Sequence, residues 1–182
     1  ADTGRGMCAD IDANHRGCEM WHICNREGKD IHGEVIAKTM PPMNFRIYWD
    51  GDLQEELLGN LGRRERFAPC LMKWNGNEAV PLPLGNGKMM YETGNSVSCN
   101  WTKATPNLQA DLMGDWREEI IFWDGTDASH LNIFTTNCPT KYRVPTLMHD
   151  HTYRMSVAWQ NVSYNQPPHL GYYLPTLFLG EH

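Results

Sequence analysis

No block of lysine or arginine appears in this chain, and no two cysteines stand in a CxxC spacing. The longest apolar stretches, such as residues 174–179, fall far short of the roughly 20 residues that a bilayer span needs. Helical periodicity is scarce, and there is neither a linker nor a low-complexity segment. Each absence excludes something. With 22 acidic against 16 basic residues and a net charge of −6, the chain is a poor nucleic-acid binder. It offers no membrane-spanning helix. Its cysteines (Cys8, Cys18, Cys24, Cys70, Cys99 and Cys138) give little support for zinc. They read as mostly free, buried thiols, because a 182-residue chain does not need a disulfide framework. No domain boundary is expected inside 1–182. The chain opens on Ala1-Asp2-Thr3, with no initiator methionine and no signal peptide, and reads as cut from something longer.

What is present is apolar material for a core, 41% hydrophobic residues with seven Trp, arranged in short runs. Arg46-Ile47-Tyr48-Trp49, Ile120-Ile121-Phe122-Trp123, Leu131-Asn132-Ile133-Phe134 and Met155-Ser156-Val157-Ala158-Trp159 are such runs, separated by Gly, Pro, Asn and Asp. The pattern predicts an all-β chain of short strands and turns. Residues 53–58 are the one stretch with helical character. Trp21, Trp49, Trp116, Trp123 and Trp159 lie beside strands and are expected in the core. His149-Asp150-His151 lacks a third spaced ligand and is expected to make local hydrogen bonds.

One acidic pattern recurs three times. Asp10 and Asp12 precede Glu19; Asp50 and Asp52 precede Glu56; Asp111 and Asp115 precede Glu119. In each copy a loop with two aspartates leads into a strand that carries a glutamate. Calcium takes six to eight oxygen ligands, and such loops can aim two carboxylates inward while the glutamate supplies another. Gly51 and Gly114 permit the sharp turns. The nine acids are therefore candidate calcium ligands, against the alternative of solvated turn residues. Repeated loop-plus-strand units in an all-β chain suggest propeller blades.

Longer strings carry a resemblance. Asn44-Phe45-Arg46-Ile47-Tyr48-Trp49-Asp50-Gly51-Asp52-Leu53, then Leu108-Gln109-Ala110-Asp111 with Gly114-Asp115-Trp116-Arg117-Glu118-Glu119, are similar to segments of family 11 rhamnogalacturonan lyases. Thr146-Leu147-Met148-His149-Asp150 and Val157-Ala158-Trp159-Gln160-Asn161-Val162-Ser163-Tyr164-Asn165-Gln166-Pro167-Pro168-His169 resemble the family's C-terminal signature. The resemblance implies an eight-bladed, calcium-rich β-propeller, secreted or periplasmic. It implies cleavage of rhamnogalacturonan I, the rhamnose–galacturonate backbone of pectin, by calcium-assisted β-elimination. At ~40–50 residues per blade, the chain holds three or four blades. The remaining blades are then expected from the same protein or a second copy, and the chain alone is expected to be inactive. Residue by residue, Asn100, Thr102, Lys103 and Tyr164 fall on active-site positions. Lys103 and Tyr164 are the catalytic candidates, with Asn100 and Thr102 contacting sugar or metal. Trp101 stands where the family has Gly, and can stack on a sugar or fill the cleft. Two other readings use the same residues. One is a non-catalytic calcium-stabilised carbohydrate-binding propeller, the other a calcium-repeat adhesion domain.

Overall fold

The computed structural model describes residues 5–41, 44–60, 69–100, 104–160, 162 and 165–178. Three antiparallel four-stranded sheets follow one another along the chain. The first runs β1 (Gly6–Ala9), β2 (Glu19–His22), β3 (Asn25–Lys29) and β4 (Val35–Ala37), in that order. The second repeats the plan with β5 (Phe45–Ile47), β6 (Glu56–Asn60), β7 (Pro69–Trp74) and β8 (Ala79–Pro81). The third is built on β11 (Glu119–Asp124). One side of β11 pairs with β12 (Leu131–Phe134). The other side pairs in succession with β10 (Leu108–Ala110) and β9 (Ser96–Val97). The chain is thus mostly sheet, as its short runs predict.

The alternation of side chains along a strand explains how the sheets stack. On β6, Leu57 and Leu58 are both fully buried, on opposite faces. Leu57 joins a cluster with Met7, Ala9, Trp21 and Trp74, between the first and second sheets. Leu58 joins Phe45, Ile47, Leu71, Ile120 and Phe122, between the second and third. A central strand covered on both faces reads as a continuous apolar run. Here lies the reason that 53–58 looks helical in sequence yet leads through a turn into a strand.

The reverse correction applies at the C-terminal end. Residues 155–159, read as a strand, belong to helix α1 (His151–Trp159). Asp150 caps it, its side chain accepting from the Tyr153 N–H. That cap is the local hydrogen bonding expected of Asp150, which also accepts from the distant Gly171 amide. Trp159, at the end of α1, is 69% exposed rather than in the core, and Trp123 is half-buried; Trp21, Trp49 and Trp116 are buried. Tyr153, Leu147 and Leu174 from this segment pack on Tyr48, Leu53 and Trp116. Gln160 completes the edge strand β10: its Oε1 accepts from the Gln109 amide at 2.9 Å and its Nε2 donates to the Gln109 carbonyl at 2.6 Å. A side-chain amide here replaces a neighbouring strand and leaves no open edge at that point. No disulfide joins any of the six cysteines, and only Cys70 is buried; Cys8, Cys24 and Cys99 are exposed, Cys18 and Cys138 half-buried.

Gly51 shows how closely the C-terminal half covers the second acidic loop. A Cβ at Gly51 would lie 2.2 Å from the Pro139 carbonyl oxygen, and Thr140 Oγ1 donates to the Gly51 carbonyl at 2.7 Å. A Cβ at Gly6 meets only the Trp21 carbonyl, at 3.7 Å. Gly51→Ala is expected to cost about 1–3 kcal/mol in urea unfolding, and Gly6→Ala to stay within about 0.5 kcal/mol. Equal effects would contradict this packing.

Candidate functional site

The acidic loops connect β1 to β2, β5 to β6 and β10 to β11, and the glutamate that opens the strand after each loop holds it. Glu19 Oε2 accepts from the Ile11 and Asp12 amides at 2.9 and 3.1 Å. Glu56 Oε2 accepts from Trp49 and Asp50 at 2.9 and 3.2 Å. Glu119 Oε2 accepts from Leu112 and Met113 at 2.8 and 2.9 Å. All three glutamates are fully buried. A carboxylate receiving two amide protons satisfies donors that a turn would otherwise leave without partners, at about 1.5–3 kcal/mol for each charge-assisted bond.

A second glutamate, directly before the clamp, ties one sheet to the previous one. Glu55 Oε2 accepts from the Asp10 amide at 2.9 Å, and Glu118 Oε2 from the Tyr48 amide at 3.0 Å. The backbone returns the bond, with Glu55 N donating to Asp10 O and Glu118 N to Tyr48 O. At the third loop the tyrosine of α1 takes this place. The Asp111 amide donates to Tyr153 Oη at 3.0 Å, and that hydroxyl donates to Glu118 Oε1 at 2.6 Å. Burial pushes Glu118 up to about 7, against the donors Tyr153, Tyr48, Arg46 and Gln109.

The three sets of candidate metal ligands differ in what surrounds them. Among the described residues, only Asp50, Asp52 and Glu56 bring three carboxylates within 4.8 Å of one another. Lys73 Nζ stands on all three, at 2.7 Å from Asp52 and 2.8 Å from Glu56, with Asp50 also in contact. Burial disfavours the Lys73 charge, but Glu56 and the two aspartates raise its pKa nonetheless. Burial likewise pushes Asp50 up, and the Asp52 amide with the Lys73 ammonium more than reverses it. In the third loop Asp111 accepts from Gly114, Thr146 and Leu147, Asp115 pairs with Arg117, and Glu119 Oε1 accepts from Thr135. That loop has its donors and its cation within the chain.

The first loop is different. Asp12 is engaged by Asn14 and by Trp74 Nε1 at 3.1 Å. Both carboxylate oxygens of Asp10 and Oε1 of Glu19 are buried without a hydrogen-bond donor. Burial pushes Asp10 up to about 7; the Tyr173 hydroxyl nearby opposes this, while Glu55, Glu19 and Asp52 add to it. Buried carboxylate oxygens without donors fit a hard cation, which prefers oxygen ligands. Asp10 also lines a cavity of about 670 Å³ with Cys8, Cys18, Arg46, Glu55 and Tyr173.

Of the substrate-site candidates, Asn100 is bridged to Thr105, and the Cys99 amide donates to the Thr105 carbonyl at 2.8 Å. Trp101, Thr102, Lys103 and Tyr164 lie outside the described residues. Among the described residues, Asn165 is buried and its Nδ2 donates to Pro106 O at 3.0 Å. Sequence reasoning passed over Glu55, Glu118, Lys73 and Tyr153. A signal existed for the first two in the doubled Glu55-Glu56 and Glu118-Glu119; Lys73 and Tyr153 reach the loops only through the fold.

The family model for the rhamnogalacturonan lyase family 11 C-terminal domain matches residues 1–179. Curated relatives include the rhamnogalacturonan endolyase YesW of Bacillus subtilis strain 168, 43% identical over 176 residues. The rhamnogalacturonan exolyase YesX of the same strain is 42% identical over 189 residues. The alignments cover 95% and 96% of this chain but 25% and 29% of those proteins, so the chain spans little more than a quarter of their length. The crystal structure of YesW superposes with a TM-score of 0.81 at 40% identity, covering 95% of this chain and 27% of that one. A Bacillus licheniformis lyase of the same family gives 0.80 at 43% identity, covering 94% and 27%.

Two expectations follow from the charges. Asp10 and Glu118 bind their protons more tightly folded than unfolded. The stability each contributes is fully present below its ordinary value, 3.8 and 4.5, and is lost as pH rises through about 7. With a chelator present, urea midpoints should therefore fall between about pH 5 and pH 8; a flat or rising profile contradicts this. Lys73→Met removes the cation from three carboxylates, one of them fully buried. It should cost about 2–4 kcal/mol at pH 8, and visibly less at pH 5, where the unpaired carboxylates take up protons. An equal loss at both pH values would mean that Lys73 contributes packing rather than charge.

Proposed function

The chain belongs to rhamnogalacturonan lyase family 11, and from that membership we propose that it is the C-terminal part of the catalytic propeller of a polysaccharide lyase acting on rhamnogalacturonan I. The observation that carries this reading is identity of 43% and 42% to an endolyase and an exolyase across nearly the whole chain. The three consecutive four-stranded sheets, stacked face to face and tied by Glu55 and Glu118, support three blades of a larger ring. The remaining blades come from the same protein or a second copy, and the ring works outside the cytoplasm, secreted or periplasmic.

β-Elimination at a galacturonate needs its carboxylate neutralised, the C5 proton removed and the rhamnose-bearing O4 released. Lys103 suits the first or second of these tasks, as a cation or as a base whose pKa is lowered by the site. Tyr164 stacks on or hydrogen-bonds the sugar, or takes the proton. Asn100 and Thr102 hold sugar hydroxyls, and Trp101 gives an aromatic face on which a pyranose stacks. The tie between Asn165 and Pro106 supports bringing the two segments to one place. Calcium, when bound, supplies positive charge that stabilises the acidic loops and favours a substrate uronate. Asp10 and Glu19 are the residues we assign to hold it, because both Asp10 oxygens and Glu19 Oε1 are buried without donors; Lys73 and Arg117 serve the second and third loops from within the chain.

The test uses the full-length protein on rhamnogalacturonan, followed by the ultraviolet absorbance of the unsaturated uronate product. Lys103→Ala should lower turnover by about 10²-fold or more, with unchanged circular dichroism. A chelator should lower the melting temperature, and Asp10→Asn should reduce that response. Binding without product from the unaltered protein would favour a carbohydrate-binding propeller instead.

A further inference from the structure

The three sheets share one more side-chain pair, between the strand that precedes each acidic loop and the residue before the clamp. In the second sheet Arg46 lies opposite Leu57, and its guanidinium pairs with Glu55, two residues earlier on the partner chain segment. In the third, Gln109 lies opposite Ile120, and its Nε2 donates to Glu118, again two residues earlier, at 2.9 Å. In the first, Cys8 lies opposite Met20, and the residue two earlier is Cys18. The diagonal that brings together Arg46 with Glu55 and Gln109 with Glu118 therefore brings together two thiols, close enough that each shifts the ionisation of the other. Arg46 and Gln109 each face the preceding sheet, where Gln109 Nε2 also reaches Arg46 O. No described sheet precedes β1, and the cysteine pair opens instead on the cavity of about 670 Å³. Cys8 is exposed and Cys18 half-buried.

We infer that Cys8 and Cys18 are a modification site, a thiol pair that closes to a reversible disulfide across β1 and β2. The oxidant is a low-molecular-weight disulfide of the glutathione class. The Cys8 thiol gives its proton to solvent and its sulfur attacks one sulfur of the oxidant. A Cys8–glutathione bond forms and the first glutathione leaves as thiolate. The Cys18 thiol likewise loses its proton and attacks Cys8 Sγ; the Cys8–Cys18 bond forms and the second glutathione leaves. The chain loses two hydrogens and the oxidant is reduced to two thiols. The bond closes a short loop around the first acidic turn, the segment that Glu19 holds by hydrogen bonds alone. A thiol reagent reading that turn thereby gains covalent control of it.

The full-length protein, reduced, desalted and incubated with oxidised glutathione, is alkylated and digested with trypsin without reduction. Residues 6–16 and 17–26 should appear as one cross-linked species, with fragmentation placing the bond on Cys18 rather than Cys24. Cys24→Ser should keep the cross-link. Cys18→Ser should stop at a mixed disulfide of Cys8 with glutathione, and dithiothreitol should reverse both products. Full alkylation of Cys8 and Cys18 after the oxidant would overturn the inference. So would a lasting glutathione adduct on Cys8 with Cys18 present, or a bond from Cys8 to Cys24.

Discussion

A buried glutamate receiving two consecutive backbone N–H groups is the interaction on which the rest of this structure depends. The turn that each of these glutamates closes runs through packed surroundings at Ile11, Asp12 and Trp49 and lies nearer the solvent at Leu112 and Met113. Unpaired, each buried amide would cost about 1–3 kcal/mol. Glu19, Glu56 and Glu119 remove that cost and at the same time fix the register of the second strand relative to the turn. With the register fixed, the residue one before the clamp is aimed at the neighbouring sheet. Glu55 and Glu118 then reach the preceding loop, and stacking of the sheets follows from the geometry of a single turn.

The accumulation of acids that this arrangement demands is offset mostly from within. Lys73 stands among Asp50, Asp52 and Glu56, Arg117 against Asp115, and Arg46 against Glu55. Lys73 on β7 and Arg46 on β5 also link elements, whereas Arg117 belongs to the acidic loop itself, two residues from Asp115. The first loop has no such partner for Asp10, whose oxygens are buried without donors. The acidic repeat is therefore one backbone solution with three electrostatic completions.

The C-terminal segment serves the third sheet as a neighbouring sheet serves the others. Tyr153 occupies the place of the cross-sheet glutamate, and Gln160 pairs with the backbone of Gln109 as a strand would. Nearby, Asn165 fastens the segment to Pro106. The described residues of this segment are thus held by side-chain amides and a phenol. A substrate site needs such support, because small displacements of a reacting group are costly in rate.

Much of this was legible in the residues. The alternation of short apolar runs indicates sheet, the three Asp-Asp-Glu sets mark the three turns, and the long irregular strings from Asn44 to His169 identify the family. These features are local, and strand periodicity and turn chemistry are properties of neighbouring residues. Where local pattern is ambiguous, the reading went astray. Leu57 and Leu58 look alike whether a strand is buried on both faces or a helix on one, and 155–159 has apolar content that suits either state until Asp150 caps it. The partners of the acids were not legible at all. Lys73 meets Glu56 from 17 residues away, Tyr153 meets Glu118 from 35, and Asp10 receives Glu55 from 45. Sequence by itself determined which residues could hold charge in the turns and which strands could form. Only the tertiary structure decided which charge each carboxylate meets, because that depends on strand pairing and sheet stacking, which bring distant residues within hydrogen-bond reach.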